Sequence, residues 1–380
     1  MIRLIIWIAL LVGGAAPALG TPVVAIEDDM IWQSPTPAGI TSRVNLVAST
    51  GAKYTRVAMD WPQIAPTRPA NPEDPADPAY DWSRHDAIIS ELRARGIGTM
   101  ITLHGTPVWA SASGKWNATP RTADAASFAA AVATRYSGRY LAAGGGLLPA
   151  IKSLSVRNEP NISLFNSPQC RRVGRRWVPV APQAYAALLK ASTPKIRAAN
   201  PNLIIVAGEM GSNSAESGGC RDANSSLGSV EFTRLLHKAL GGKRSVPFDM
   251  WGQHIYPVGP PGRVEAFPSW RSLSQMTKVL NAMHPRGRMP VMISETGYTT
   301  SYTPFHRYFV SEAQQALWLD LTFREAKKHP EVEAVVWFNI QDQRDWTAGL
   351  FRSDLTKKPS FDHFRRLALA NVLSAKWALP

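Results

Sequence analysis

Two glutamates offer the first hint of chemistry. Glu159 stands in Arg157-Asn158-Glu159-Pro160, and Glu295 stands in Ser294-Glu295-Thr296-Gly297-Tyr298. Each follows a short, strongly apolar run, residues 151–156 and 291–294. Each carboxyl is therefore expected where a strand emerges from the core, partly shielded from water. Two carboxyls in unlike surroundings can hold different protonation states and divide the work of proton donor and nucleophile. Cleaving an acetal asks for that division: one group protonates the departing oxygen while the other attacks the anomeric carbon or activates water. Asn158 adds an amide beside the candidate acid, placed to hold a sugar 2-hydroxyl, whose hydrogen bonds strengthen as an oxocarbenium ion forms. Either motif alone also describes an ordinary polar turn. Their weight comes from occurring together, one on the fourth strand of the chain and one on the seventh.

Those strands belong to a regular series. Short apolar or β-branched runs at 23–26, 54–60, 97–103, 151–156, 203–207, 248–252, 291–294 and 332–338 alternate with amphipathic stretches. This is the pattern of successive βα units around a parallel sheet. Helices are expected near 41–49, from 83, after Thr122, over 182–200 and over 361–373, with Pro194 kinking or dividing the fourth of these. A Pro-rich loop covers 62–78, and a long basic loop follows Glu159. Eight such units predict an α/β fold, a single (β/α)8 barrel over residues 21–380, with chemistry at the carboxyl ends of its strands. The alternative, a doubly wound sheet, would need a Gly-rich phosphate turn after its first strand, and none is there.

Composition narrows the partners. Forty-two lysines and arginines against 28 acidic residues leave a formal net charge of +14. The basic residues are scattered through helices instead of forming a tail, which argues against nucleic acid. Arg171, Arg172, Arg175 and Arg176 beside Trp177 make the densest cluster. Residues 1–20 read as a secretory leader: Arg3, an apolar run from Leu4 to Val12, then small residues through Ala18-Leu19-Gly20. That run is shorter than the roughly 20 apolar residues a membrane span takes. The expectation is a secreted or periplasmic monomer with no integral membrane segment. In that oxidising setting the two cysteines, Cys170 and Cys220, are expected to pair, reduced buried thiols being the alternative.

In strand order and at these motifs, the chain resembles the large clan of retaining (β/α)8 glycoside hydrolases that includes the cellulase-like family 5 and the family 39 enzymes. The resemblance spans essentially all of residues 21–380. It implies hydrolysis of glycosides without a cofactor or metal, with Glu159 as acid/base, Asn158 beside it and Glu295 as nucleophile. It further implies that Arg56 on the second strand holds the nucleophile ionised, and that His104 at the exit of the third strand contacts the sugar at the cleavage point. His254-Ile255-Tyr256 resembles the clan's His-x-Tyr, whose tyrosine touches the nucleophile. Trp337, near the end of the eighth strand, would be the apolar floor beneath the sugar. The chain departs from the clan at Arg157, where many relatives carry an aromatic or small residue, and in the loops 62–78 and 165–182.

Other carboxylates near strand exits, Glu209, Asp60, Asp342 and Asp345, are expected as substrate contacts or partners of the catalytic pair. Trp61, Trp109, Trp116, Trp177, Tyr256, Trp270 and Tyr298 suggest stacking subsites, and hence a polysaccharide or oligosaccharide substrate with β-linkages. Two competing readings remain: an exported barrel that binds an acidic polysaccharide without cutting it, and a metal-dependent hydrolase. The second fits poorly with histidines that occur singly along the chain.

Overall fold

The computed structural model of the chain describes residues 21–212, 219–263, 269–270, 273–303 and 307–379, so the leader expected at 1–20 lies outside the described residues. The strands, in chain order, are β1 Val23–Glu27, β2 Tyr54–Asp60, β3 Gly98–His104, β4 Ser153–Ser155, β5 Cys170–Val173, β6 Arg176–Pro179, β7 Ile204–Met210, β8 Met250–Ile255, β9 Val291–Thr296 and β10 Val332–Phe338. All but β5 and β6 close into one parallel barrel, β1-β2-β3-β4-β7-β8-β9-β10, with β10 pairing back onto β1. Helices α1 Pro37–Ser49, α3 Ser83–Ala94, α4 Thr122–Arg135, α5 Ala181–Ala199, α6 Ser229–Leu240, α7 Leu273–Met283, α8 Glu312–Ala326 and α9 Pro359–Leu369 lie between or after the strands, with a single turn, α2 Trp61–Ile64, after β2. The chain is a (β/α)8 barrel. None of the helices among the described residues is long and apolar enough to cross a membrane.

Side chains alternate between the two faces of each strand, and the barrel turns that alternation into two cores. Inward-facing Val23, Ala25, Tyr54, Met100, Ile204, Val206, Met250, Met292, Ala334 and Val336 fill the lower barrel. The outward set packs against the helices in a larger cluster. Trp377, in a 3-10 turn at the chain's end, joins the inner cluster from below: its ring stands edge-on to Tyr54 at 5.5 Å, and Tyr54 OH donates to its carbonyl at 2.8 Å. Gly98 makes room for this plug, since a Cβ there would lie 2.2 Å from the Tyr54 ring.

Local chemistry sets the element ends. Thr36 caps α1, accepting from Gly39 N at 3.1 Å, and Pro37 follows at the first helical position, so the helix starts earlier than residue 41. Pro194 does not divide α5, which runs unbroken from Ala181 to Ala199. The proline is on the solvent side, where water can satisfy the carbonyl it frees. β7 extends three residues beyond the expected 203–207, through Gly208 at φ 93° and Glu209 at φ 46°, with a register shift against β8. Within the basic loop after β4, β5 and β6 form an antiparallel hairpin whose arginines are exposed. Cys170 and Cys220 are disulfide-bonded, with Cα atoms 5.8 Å apart, and tie that hairpin to the loop after β7.

Because Trp377 closes the lower barrel, Trp377→Ala is expected to destabilise the fold by about 3–5 kcal/mol. The check is the urea midpoint of the purified variant against the parent; an unchanged midpoint would mean the plug adds nothing.

Candidate active site

The barrel's upper end is polar where its lower end is apolar, and one arginine organises it. Arg56, fully buried on β2, donates from Nη1 to Glu295 Oε1 at 2.8 Å and to Glu27 Oε2, from Nη2 to Glu209 Oε2 at 2.9 Å and Asn158 Oδ1 at 2.8 Å, and from Nε to Thr102 Oγ1 at 2.9 Å. Burial alone would lower the Arg56 pKa, but Glu209, Glu27 and Glu295 outweigh it and hold the guanidinium charged. Thr102 also donates to Glu209 Oε1 at 3.1 Å, so both oxygens of Glu209 are occupied.

Glu295, next to last in β9, is gripped from two sides. Arg56 holds Oε1, and Tyr256 OH donates to Oε2 at 2.5 Å. Burial pushes the Glu295 carboxyl above the usual carboxylate range, with Glu159 adding to that push, while His254, Arg56 and the Tyr256 hydrogen bond pull it back. Glu159 follows β4 with its backbone at φ 39°, a left-handed conformation rare for a residue with a Cβ. Its N–H donates to Glu209 O at 3.1 Å, and its side chain lies so close over Gly211 that a Cβ there would be 2.8 Å from Oε1.

Between the two glutamates sits His254, fully buried on β8. Its Nδ1 lies 2.8 Å from Glu159 Oε1 and 3.3 Å from Glu295 Oε2. Burial lowers the His254 pKa, but the charge of Glu295 and the contact with Glu159 raise it above the ordinary histidine value. This Nδ1 and one oxygen from each carboxyl all fall within 4.8 Å of one another, which is also the spacing of a possible cation site. His104, the last residue of β3, behaves oppositely. Burial, together with the positive charges of Arg56, Arg157 and His254, lowers its pKa well below the usual range, so it is neutral. Its Nε2 is buried without a hydrogen-bond partner among the described residues.

These groups line a cleft of about 960 Å³ that includes Glu27, His104, Asn158, Glu159, Tyr256 and Glu295. Its walls add Asp29, Trp32, Trp116, Phe165, Tyr308 and Trp346. Trp337 is placed elsewhere. It is fully buried, donates from Nε1 to Ala348 O at 3.0 Å, and faces the helices beside Tyr298. The reason is alternation: β10 pairs Phe338 with inward-facing Glu27, so Phe338 enters the mouth and its neighbour points out. The indole that this part of the chain puts into the cleft is Trp346, eight residues past β10, standing on the Tyr256 ring at 4.7 Å and donating to Phe338 O at 3.3 Å. Of the other aromatics expected as subsites, Trp116 and Tyr256 line the cleft, whereas Trp61, Trp270 and Tyr298 are buried in the core.

Glu27 is the residue that strand-exit reasoning passed over, although the same signal was present. It directly follows the apolar run 23–26, as Glu295 follows 291–294. Arg157 proves to be structural: buried, it donates to the carbonyls of Gly105, Ala118 and Phe165 and to Thr106 Oγ1, pinning the β4 exit to the loop after β3. Burial lowers its pKa to about 10, which still leaves it charged near neutral pH. Asp60 accepts from Trp116 Nε1 at 2.6 Å, Asp342 pairs with the buried Lys358 at 2.7 Å, and Asp345 lines the cleft.

Losing Arg56 would strand these buried carboxyls. Arg56→Met is expected to cost about 3–5 kcal/mol near neutral pH. Carboxyls left without the guanidinium have folded-state pKa values above their unfolded ones, so stability is lost as pH rises through the folded values and recovered below the unfolded ones. Urea unfolding at about pH 4 and about pH 7 should therefore show a smaller deficit at the acid end; an equal deficit at both would sink the electrostatic account.

Comparison with known proteins agrees with this architecture. No match was found among curated proteins. Among solved structures, a family 39 glycoside hydrolase from Bacteroides cellulosilyticus WH2 superimposes with a TM-score of 0.60 at 17% identity, over 92% of this chain and 64% of that one. The GH39 enzyme from Xanthomonas axonopodis pv. citri gives 0.62 at 17%, over 94% and 68%. GH5_18 from Streptomyces cattleya, solved with GlcNAc, gives 0.63 at 14%, over 93% and 82%. This chain thus spans less than two thirds of the first of these and more of the other two. The model of the cellulase family, glycosyl hydrolase family 5, matches residues 18–343, and the chain belongs to that family.

Proposed function

We propose that this chain is a retaining glycoside hydrolase, with Glu159 as acid/base and Glu295 as nucleophile, cleaving O-glycosidic bonds in a β-linked polysaccharide or oligosaccharide. The observation that carries the reading is the approach of the two carboxyls, with an oxygen of each inside 4.8 Å across His254 Nδ1. Direct attack on the anomeric carbon uses carboxyls roughly 5–5.5 Å apart, whereas inversion leaves roughly 6.5–9.5 Å for a water.

In the first step Glu295 Oε attacks the anomeric carbon and forms a glycosyl ester while Glu159 gives its proton to the leaving oxygen. In the second, Glu159 takes a proton from water, the water oxygen bonds to the anomeric carbon, and the Glu295 carboxylate departs. Arg56 and Tyr256 hold one oxygen of Glu295 each and so aim it at the cleft. Asn158 Oδ1 is held by Arg56, which leaves the amide NH2 for the sugar's 2-hydroxyl. Neutral His104 lines the cleft beside these groups and suits contact with the same sugar.

The volume of the cleft and its aromatic walls favour a chain over a disaccharide. Its acidic lining is Glu27, Asp29, Glu159, Glu295 and Asp345 against the cation Arg307, so a neutral glycan fits better than an acidic one, and the basic excess lies elsewhere on the surface. The leader-like residues 1–20 and the disulfide support export of the enzyme.

Glu159→Gln is expected to lower kcat by about 10²–10⁴ on an unactivated glycoside, and Glu295→Gln by at least as much, with folding intact by circular dichroism. Proton NMR of the first product should show the substrate's anomeric configuration; the opposite anomer would exclude double displacement. Glu295 must be ionised to attack and its pKa is raised, so kcat/KM should fall as pH drops through a value above the ordinary carboxylate range. An acid limb at the value of a free glutamate would contradict the buried site.

A further inference from the structure

Four carboxyls, Glu27, Glu159, Glu209 and Glu295, are linked by hydrogen bonds to the guanidinium of Arg56 or the imidazole of His254. With every group ionised, negative charge would outnumber positive in a site largely closed to water, an arrangement that low dielectric penalises heavily. Protons must therefore reside on some of the carboxyls. Glu159 carries one when it acts as acid, Glu295 must carry none when it attacks, and Glu209 has both oxygens occupied by donors. Glu27 is the member with room for another.

Its geometry suits that state. Glu27 Oε2 accepts from Arg56 Nη1, the same nitrogen that holds Glu295, whereas Oε1 bonds to no group among the described residues. The residue lines the cleft. The groups facing it are Arg56 from β2, Glu295 from β9 and Asp29 from the loop beyond its own strand, while the β10 residue in register with it is uncharged Phe338. Burial pushes the Glu27 carboxyl well above the usual range; Arg56 opposes this, and Glu295 and Asp29 add to it.

We propose that Glu27 works as an uncharged carboxylic acid, accepting from Arg56 through Oε2 and donating from Oε1–H to an oxygen of the sugar held against Glu295. This rests on the reading of Glu295 as nucleophile. It makes Glu27 a specificity residue that selects a sugar presenting a hydroxyl or ether oxygen at that point, and it lets a carboxyl stand beside the nucleophile without repelling it.

Replacement by glutamine keeps an acceptor for Arg56 and a donor for the sugar; replacement by alanine removes both. Glu27→Ala should lower kcat/KM by about ten- to a hundredfold, the loss expected for one good hydrogen bond, and Glu27→Gln should recover most of that loss. The acid limb of kcat/KM should stay in place in Glu27→Gln, because glutamine is neutral as the protonated acid is. Glutamine faring as badly as alanine, both variants matching the parent, or an acid limb moved to lower pH in Glu27→Gln would each overturn the proposal.

A second measurement avoids variants of Glu27 altogether. In parent enzyme carrying 13C-labelled glutamate carboxyls, the Glu27 signal should remain at its protonated position through the pH at which the Glu295 signal moves; the reverse order overturns the proposal. If Glu295→Gln instead retained activity, the catalytic reading would fail while this titration still reported on Glu27, so the two failures are distinguishable.

Discussion

The mouth of this barrel depends on one buried guanidinium. Arg56 touches groups from five other strands or their exits: Glu27 of β1, Thr102 of β3, Asn158 after β4, Glu209 of β7 and Glu295 of β9. A planar fork with five donors can meet so many acceptors at fixed angles, which a lysine's single ammonium cannot. The arrangement is not a cheap source of stability, because desolvating several carboxyls costs about what their pairing returns. Its value is geometric. Strands that a closed sheet brings within a few ångströms are locked together at their exits, so that the carboxyls are positioned before any ligand arrives.

Strain is concentrated at the same level of the barrel. Glu159 and Glu209 both adopt positive φ, and they are joined by the backbone bond from Glu159 N to Glu209 O. Left-handed backbone at residues with a Cβ costs of order 1–3 kcal/mol each and persists where surrounding contacts overdetermine it. Here Arg56 and Thr102 hold the Glu209 side chain, and Arg157 anchors the backbone just before Glu159. Gly252 completes the fit, since a Cβ there would come 2.5 Å from Glu209 Cγ. Below this level the barrel is an ordinary packed core, which is why the strained layer can be carried at all.

Much of this was legible in the chain itself. Apolar runs ending on polar residues located β2, β3, β9 and β10 to within a residue or two and marked Glu159, Glu295, His104 and His254 as strand-exit groups; the structure gathers the first three in one cleft and buries His254 behind the two glutamates. The reading was weaker where local pattern is ambiguous. The basic loop gave no hint of the β5–β6 hairpin, whose exposed arginines do not alternate with apolar residues, and Pro194 suggested a kink or a division, of which the division does not occur because the proline faces solvent. Glu27 follows its apolar run as Glu295 follows 291–294, but no flanking motif such as Asn158-Glu159-Pro160 set it apart.

What the sequence by itself determined is the alternation of strands and helices and the polar residues at strand exits, because both are patterns among near neighbours in the chain. Which side chains look into the mouth was decided by register around the closed sheet: Phe338 faces in, Trp337 faces out, and Trp346 folds back from a loop to stand over Tyr256. The grouping of Glu27, Arg56, Glu209 and Glu295 was likewise decided in three dimensions, since they are up to 268 residues apart, Glu27 to Glu295, and meet only when β10 pairs with β1. The upward push on the Glu27 and Glu295 carboxyls follows from burial and mutual distance, quantities that no run of adjacent residues contains.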